Sequence, residues 1–580
     1  MKNRQANYEG WTTGKLPVLI LMLTTCLAYF NAWPDALALD DASFAIEDRF
    51  AYLSGADYLR FFTEDLWAAS GLESGLYRPL LLVSLALDAA VFGDWIPGYH
   101  LINILLHVLV TLLVFGFCRQ VLRCSNVSPA AAIPAACFAA LVFAVHPVHA
   151  EAVNSIFNRS EMLVSIGVVG SLWWFLNNWR SDKRKAWAGL ALAYFPVLLC
   201  KESGAVLPAL AVLLIWLTGS GSARQKLRQS LPVLWLLLPL TLFLVLRANA
   251  SGHEAAAGFA LHSGPNRLPD VVVMWFESLK LLVWPHPLTI FHALPSSNFW
   301  LAAGIQMVLA AAALVAGGRG RAGVLAGLSF FYIALLPASR IIGEPGMVPH
   351  VAERYLYLPS VGLAMTLALE LPWLMKKLGR RSVFIASLAV LAIFISLTWA
   401  RNQDWSSATN LAEHDYARDS SSGRIVETLV EALLAEGSYV RAAEICDQRA
   451  GELDENWFLS NSCGVAFYQT GRSDEAERAF LLATEGENEP SARFNLAGLY
   501  LKAGRRNAAR EQFEAGIEAE SVEFLQQYRQ ADMLIQMFPT GRSELLEARA
   551  HLETAIELQP QFFLARRKLA ELNRLLGTNS

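Results

Sequence analysis

Charge is what this sequence has least of. Only 17% of its 580 residues are Asp, Glu, Lys or Arg, against about a quarter in soluble domains, which argues against a water-soluble globular protein. There is no basic excess either: 47 basic residues stand against 51 acidic ones, and no nucleic-acid partner is expected. Familiar catalytic templates are missing, with no G-x-S-x-G elbow, no G-x-x-x-x-G-K-[ST] loop and no H-E-x-x-H helix. Cysteine is sparse. Of seven, Cys26, Cys118, Cys137 and Cys200 fall in or beside apolar runs and Cys124 follows one, so Cys446 and Cys463 alone suggest no disulfide framework.

What fills the space is apolar. The chain is 54% hydrophobic and holds 17 tryptophans, a membrane-protein composition. Apolar runs dominate from Leu16 to about Ala400, whereas 402–580 alternates charged and apolar residues at helical spacing. The expected fold is all-α: a polytopic membrane domain over 1–401, then a helical repeat domain over 402–580.

Spans are predicted near 16–33, 99–118, 130–145, 162–179, 186–200, 204–218, 231–247, 299–317, 322–338, 355–374 and 382–400. Lys and Arg cluster at Lys2/Arg4/Lys15, Arg119/Arg123, 180–185, 224–228, 319–321 and 376–381, and these read as cytoplasmic turns. All share one side if segments 76–93 and 271–290 do not cross. Both look interfacial or re-entrant, since the first carries Asp88 and the second Glu277 and Lys280 between tryptophans. Loops 34–98, 247–298 and 339–354, and the whole repeat domain, then face the exterior. The first apolar run reads as an uncleaved signal anchor, because no small-x-small site precedes the acidic loop.

The C-terminal part repeats. Gly464/Ala497, Phe467/Tyr500, Gly471/Gly504, Ala476/Ala509 and Phe480/Phe513 recur about 33 residues apart, the tetratricopeptide pattern of small residues inside a helix pair and aromatics between pairs. A weaker unit precedes and another follows, and "QFFLARRKLAELNRLL" caps the stack. Roughly four repeats form a solenoid whose groove suits an extended peptide; a rigid platform or a dimer contact is the alternative.

Ionisable residues also gather at the outer ends of spans: Asp40/Asp41 after the first, His146, His149, Glu151 and Arg159 in "HPVHAEAVNSIFNRSE", Lys201/Glu202 in "CKES", and Glu353/Arg354 in "VAERYLYLPS". Charges there are costly and mark function by default. A carboxylate can take the proton of an acceptor hydroxyl while fixed cations stabilise a phosphate leaving group, chemistry that fits sugar transfer from a lipid phosphate. Arg354, Arg159 and Lys201 are the candidate phosphate ligands, with Glu353 holding Arg354 and Tyr355 at headgroup level. Asp41, His149 and Glu151 could hold a divalent metal, although H-x-x-H-x-E is not a specific spacing.

The motifs "DDASFAI", "YRPLLLVSLALD", "GYHLINILLH", "HPVHAEAVNSIFNRSEML", "CKESG" and "ERYLYLPSVG", in that order and ahead of tetratricopeptide repeats, resemble the transmembrane and tetratricopeptide-repeat O-mannosyltransferases within the multi-span GT-C glycosyltransferases. The resemblance implies a GT-C membrane domain, a polyprenyl-phosphate sugar donor such as dolichyl-phosphate mannose, a catalytic acid at Asp40 or Asp41, and an exported protein as acceptor. Asp40 is favoured as base, with Asp41 orienting it or holding a metal. Substrate-binding or orienting roles fall to Arg78, His100, His146, His149, Glu151, Glu202, Glu353 and Tyr355. Few repeats and a compact central loop suggest a bacterial relative with the site and repeats in the periplasm, or in the ER lumen if the source is eukaryotic. Two other classes stay open: an envelope glycan or glycolipid transferase, and a non-enzymatic scaffold recruiting partners through its repeats.

Overall fold

The computed structural model describes residues 15–33, 37–39, 41, 57–70, 74–250, 267–292, 294, 298–318, 323–339, 350–454, 456–485 and 490–577. Among these the chain is helical, with no strand beyond an isolated bridge between His292 and Val351. It divides into two compact units, the second beginning for good at Ser407.

Each predicted span corresponds to a helix of the first unit. In chain order these are α1 (Lys15–Ala28), α2 (Pro79–Phe92), α3 (Ile96–Cys124), α4 (Pro129–Ala144), the short α5 (Ala150–Asn154), α6 (Arg159–Trp179), α7 (Lys183–Cys200), α8 (Leu207–Thr218), α9 (Ala223–Ser230), α10 (Leu237–Ala250), α11 (Arg267–Val283), α12 (Phe299–Gly318), α13 (Gly323–Leu335), α14 (Ser360–Leu378) and α15 (Arg380–Asp404). Proline opens α2, α3, α4 and α8 within the first two positions, where its missing N–H costs nothing. Segments 76–93 and 271–290 form α2 and α11.

Among the described residues, four stretches are by themselves long and apolar enough to cross a membrane: α3, Ala223–Ala250, Glu353–Leu378 and α15. A fifth is added if α4 and Pro147–Asn154, bent by 53°, are one broken span. The other apolar helices, α1 and α2 among them, are shorter.

The bend has a local cause. A proline disfavours helical backbone in the residue before it, and His146, preceding Pro147, is extended at φ −72°, ψ 124°. The chain therefore leaves α4, makes the turn Pro147–His149 and restarts as α5, which brings His146, His149 and Glu151 among neighbouring helices. Nearby, α13 and α14 cross at two glycines: a Cβ on Gly327 would lie 2.4 Å from the Gly362 carbonyl oxygen, and one on Gly362 2.5 Å from that of Gly327. Small residues let the two backbones touch.

The second unit is a stack of helix pairs. After α16 (Ala408–Tyr416) come α17 (Gly423–Glu436) with α18 (Tyr439–Gln448), α19 (Trp457–Gln469) with α20 (Ser473–Glu485), α21 (Pro490–Lys502) with α22 (Arg506–Ala519), α23 (Glu523–Met537) with α24 (Arg542–Leu558), and the closing α25 (Phe563–Leu576). Gly437, Gly471 and Gly504 make the turn inside the first three pairs with φ of +81°, +80° and +76°, a backbone that favours glycine. The unit also takes in residues 67–70 of the first loop, where Gln559 Nε2 donates to the Ala68 carbonyl at 3.2 Å.

The cysteine expectation needs correcting. Cys446 on α18 and Cys463 on α19 form a disulfide, their Cα atoms 5.6 Å apart. Seventeen residues of spacing hide the pairing, because contact arises only when the second helix of one repeat packs against the first helix of the next. Disulfides persist in oxidising compartments. In unreduced membranes, Cys446 and Cys463 should therefore resist maleimide labelling until a reductant is added; labelling without reduction would put the repeats in a reducing compartment. Replacing both by Ser should cost about 3 kcal/mol, read as a lower melting temperature of the repeats.

Candidate active site

Asp41 is anchored rather than free. It is 2% exposed, and its Oδ1 accepts from the Phe157 N–H at 2.6 Å and the Ser155 hydroxyl at 3.0 Å, while Oδ2 accepts from the Ile156 N–H at 2.9 Å. These donors lie at the junction of α5 and α6, so the first loop is pinned at Asp41, near its start, to the turn after the broken helix. Asp40 lies outside the described residues.

Beneath this junction sits Arg159, wholly buried. Its Nε donates to Asn103 Oδ1 at 2.7 Å, Nη1 to the Ser84 carbonyl at 3.3 Å, and Nη2 to Asp88 at 2.5 Å and the Tyr99 carbonyl at 3.2 Å. Asn103 in turn donates to the carbonyls of Val153 and Ser155 at 3.1 and 3.0 Å. Four bonds from Arg159 tie α2, α3 and α6 together, so each nitrogen expected to meet a phosphate has at least one partner within the protein. His100, one turn before Asn103, is buried with both ring nitrogens unpartnered.

Three cations gather elsewhere, each with a carboxylate. Arg78 bonds Glu202 at two points, 2.9 and 2.5 Å. Lys201 Nζ donates to Glu161 at 2.5 Å. The Arg354 side chain pairs with Glu151, whose other oxygen accepts from the Arg354 N–H at 2.7 Å. Tyr355 lies between two of them, its ring 5.0 Å from the Arg354 guanidinium and 5.8 Å from Lys201 Nζ. Burial works against ionisation of Glu202, but the bonded Arg78 and neighbouring Lys201 hold its carboxyl down at about 2, so this pair stays intact at neutral and mildly acidic pH. The arrangement can exchange carboxylate for phosphate at fixed donors, which is how a leaving phosphate is stabilised.

Other expected partners are redistributed. Glu353 does not hold Arg354: it accepts from Arg401 at 2.9 and 3.3 Å, with His292 Nε2 at 3.9 Å. The reason is the 3-10 turn Glu353–Leu356, which at three residues per turn points neighbouring side chains in different directions. His149 Nε2 meets the Ser360 hydroxyl at 2.9 Å and His146 Nε2 the Leu282 carbonyl at 2.9 Å, both fully buried. Asp41, Glu151 and His149 thus have separate partners, and among the described residues no three His, Cys, Asp or Glu side chains come together to hold a metal.

Sequence reasoning missed Asn103, His107, Glu161 and Arg401. His107 Nδ1 lies 2.6 Å from the Tyr357 hydroxyl and Nε2 3.0 Å from the Ala144 carbonyl, so one buried ring ties the turn carrying Arg354 to the end of α4. Polar side chains within apolar runs were the available signal; their partners lie tens to hundreds of residues away.

The sequence matches no protein-family model. It is similar to protein O-mannosyl-transferase F38B6.6 of Caenorhabditis elegans, 26% identical over 70% of this chain and 59% of that one. Protein O-mannosyl-transferase TMTC3 of Homo sapiens is 24% identical over 81% of this chain and 54% of its own. For Tmtc3 of Drosophila melanogaster the values are 26%, 83% and 60%. The chain thus spans little more than half the length of these relatives.

Proposed function

We propose that this chain is a protein O-mannosyltransferase of the membrane, moving mannose from a polyprenyl-phosphate donor to a Ser or Thr hydroxyl of an exported protein. The observation that carries the reading is the pairing of an anchored acidic loop with a cluster of phosphate-competent cations, in a chain similar over most of its length to proteins named O-mannosyl-transferases.

Asp40 is the base that takes the acceptor hydroxyl's proton. The hydroxyl oxygen bonds to the anomeric carbon as the carbon–oxygen bond to the donor phosphate breaks, and the lipid phosphate leaves with that electron pair. Asp41 positions Asp40 by fixing the loop to residues 155–157. Arg354 and Lys201 hold the leaving phosphate, with Arg78 beside them, while Tyr355 orients both cations. Arg159 holds the helices behind this site. The pairing of Cys446 with Cys463 favours an oxidising, extracytoplasmic side for the repeats.

The test is transfer of labelled mannose from polyprenyl-phosphate mannose to exported proteins by the chain in nanodiscs, with the product identified by mass spectrometry. Sugar appearing only on glycans or lipids would favour a glycan transferase, and no transfer to any class would favour a scaffold. Deleting 407–580 should spare hydrolysis of the donor and abolish most protein modification; equal loss of both would make the repeats a brace.

A further inference from the structure

The helices that begin beside the candidate active site end in a basic surface. Helix α6 runs 21 residues from buried Arg159 to Trp179, about 30 Å, which is also roughly the thickness of a bilayer's hydrocarbon core. At its far end Arg180 Nη2 donates to the carbonyls of Cys124 at 2.9 Å and Thr218 at 3.2 Å, drawing the ends of α3, α6 and α8 together. Lys226 Nζ donates to the Trp216 carbonyl at 2.8 Å and so holds α9 against the same end of α8. Helix α7 packs against the turn Leu231–Leu236 that follows α9.

Around Arg180 and Lys226 stand Lys183, Arg184 and Lys185 on α7 and Arg224 and Arg228 on α9, all exposed. Among the described residues none of these cations has a carboxylate partner, whereas Arg78, Lys201 and Arg354 at the candidate active site are each bonded to one. Asp182, the acid in the turn before α7, accepts from the Lys185 N–H at 3.0 Å as the cap of that helix.

Forces within the chain work against such a grouping. Lys183, Arg184 and Lys185 occupy the first turn of α7, the positive end of the helix dipole, where acidic residues are preferred. Arg224 and Arg228 are four residues apart on α9, a spacing that sets like charges side by side. An anion supplied from outside relieves both costs.

The neighbouring surface selects the kind of anion. Leu227, Leu231, Leu234 and Trp235 are 52–59% exposed directly beside these cations. Helix α9 also heads the stretch Ala223–Ala250, long and apolar enough to cross a membrane, so its cations fall at headgroup level where that stretch enters the bilayer. An amphiphile with a phosphate and acyl chains matches both surfaces at once.

We infer that this surface is a binding site for an anionic phospholipid. Its phosphate is held between Lys183 and Arg184 of α7 and Arg224 and Arg228 of α9, beside Arg180, and its acyl chains lie along Leu231, Leu234 and Trp235.

Binding needs neither sugar donor nor acceptor, so its failure is separable from failure of the transfer reaction. The full chain in detergent micelles is titrated with phosphatidylglycerol or phosphatidylcholine, and lipid-bound forms are counted by native mass spectrometry. Phosphatidylglycerol should bind about tenfold more tightly, with a preference that shrinks as salt rises. Phosphatidylglycerol bearing a diazirine in its acyl chain should crosslink within 223–235. The double change Arg224→Gln, Arg228→Gln should erase most of the preference, and Arg224→Lys, Arg228→Lys should keep it, with equal melting temperatures confirming folded protein. Equal affinity for the two lipids, a preference that survives the Gln pair, or crosslinks concentrated elsewhere overturns the inference and leaves the cations as topology signals only. Displacement of the lipid by an equal concentration of inorganic phosphate overturns it as well, in favour of a site for the free ion.

Discussion

In the Asp40→Asn protein, sugar transfer should fall roughly a hundred- to ten-thousand-fold, the usual loss when a general base is removed, with thermal unfolding unchanged. Asp41→Asn should behave differently. Its carboxylate accepts from two backbone N–H groups and a hydroxyl in a buried setting, and an amide nitrogen would face one of those donors with another donor. The expected cost is about 3 kcal/mol of stability, seen as a lower melting temperature, together with lost transfer. An Asp41→Asn protein that melts like the parent yet transfers nothing, beside an active Asp40→Asn protein, would exchange the two roles.

The second large effect concerns Arg354. Its partner Glu151 is 1% exposed, so Arg354→Ala removes the cation and leaves a buried carboxylate alone, a change that typically costs about 3–5 kcal/mol. A fall in both melting temperature and donor affinity is therefore expected, and stability alone cannot assign the residue's role. The double variant Glu151→Gln, Arg354→Ala separates them. It should recover much of the stability, since no charge is stranded, while donor KM stays raised about tenfold or more. Arg354→Lys should fall between, keeping the charge without the planar pair of donors. If the double variant binds donor like the parent, Arg354 is a structural ion-pair partner and the phosphate site moves to Lys201 and Arg78.

Helix existence was legible because long apolar runs have few alternatives. Ends were less so: the run predicted at 16–33 stops being helical at Ala28, and the one at 99–118 extends over Ile96–Cys124. The repeats announced themselves through Gly471 and Gly504, whose spacing the structure explains as one turn reused. The candidate site was legible by residue type but not by partner. Glu353 stands beside Arg354 in sequence, yet Glu151 takes that arginine and Arg401 takes Glu353. Arg401 closes the last apolar run, where an arginine reads as an ordinary membrane exit. For Arg159, nothing in the sequence reveals that Asp88, Asn103 and two carbonyls surround it.

Arg78, Lys201 and Arg354 come with Glu202, Glu161 and Glu151 already bonded to them. Three cations paired with three carboxylates make a cluster close to electrical neutrality. Under the proposed mechanism, phosphate binding would exchange one oxyanion for another rather than add to bare positive charge, which would lower affinity for substrate and spent lipid phosphate alike. Carboxylates held within reach would then reclaim their cations once the sugar had gone. Repeated turnover would be favoured, because the leaving group that the cations are proposed to stabilise is also the product most able to clog them.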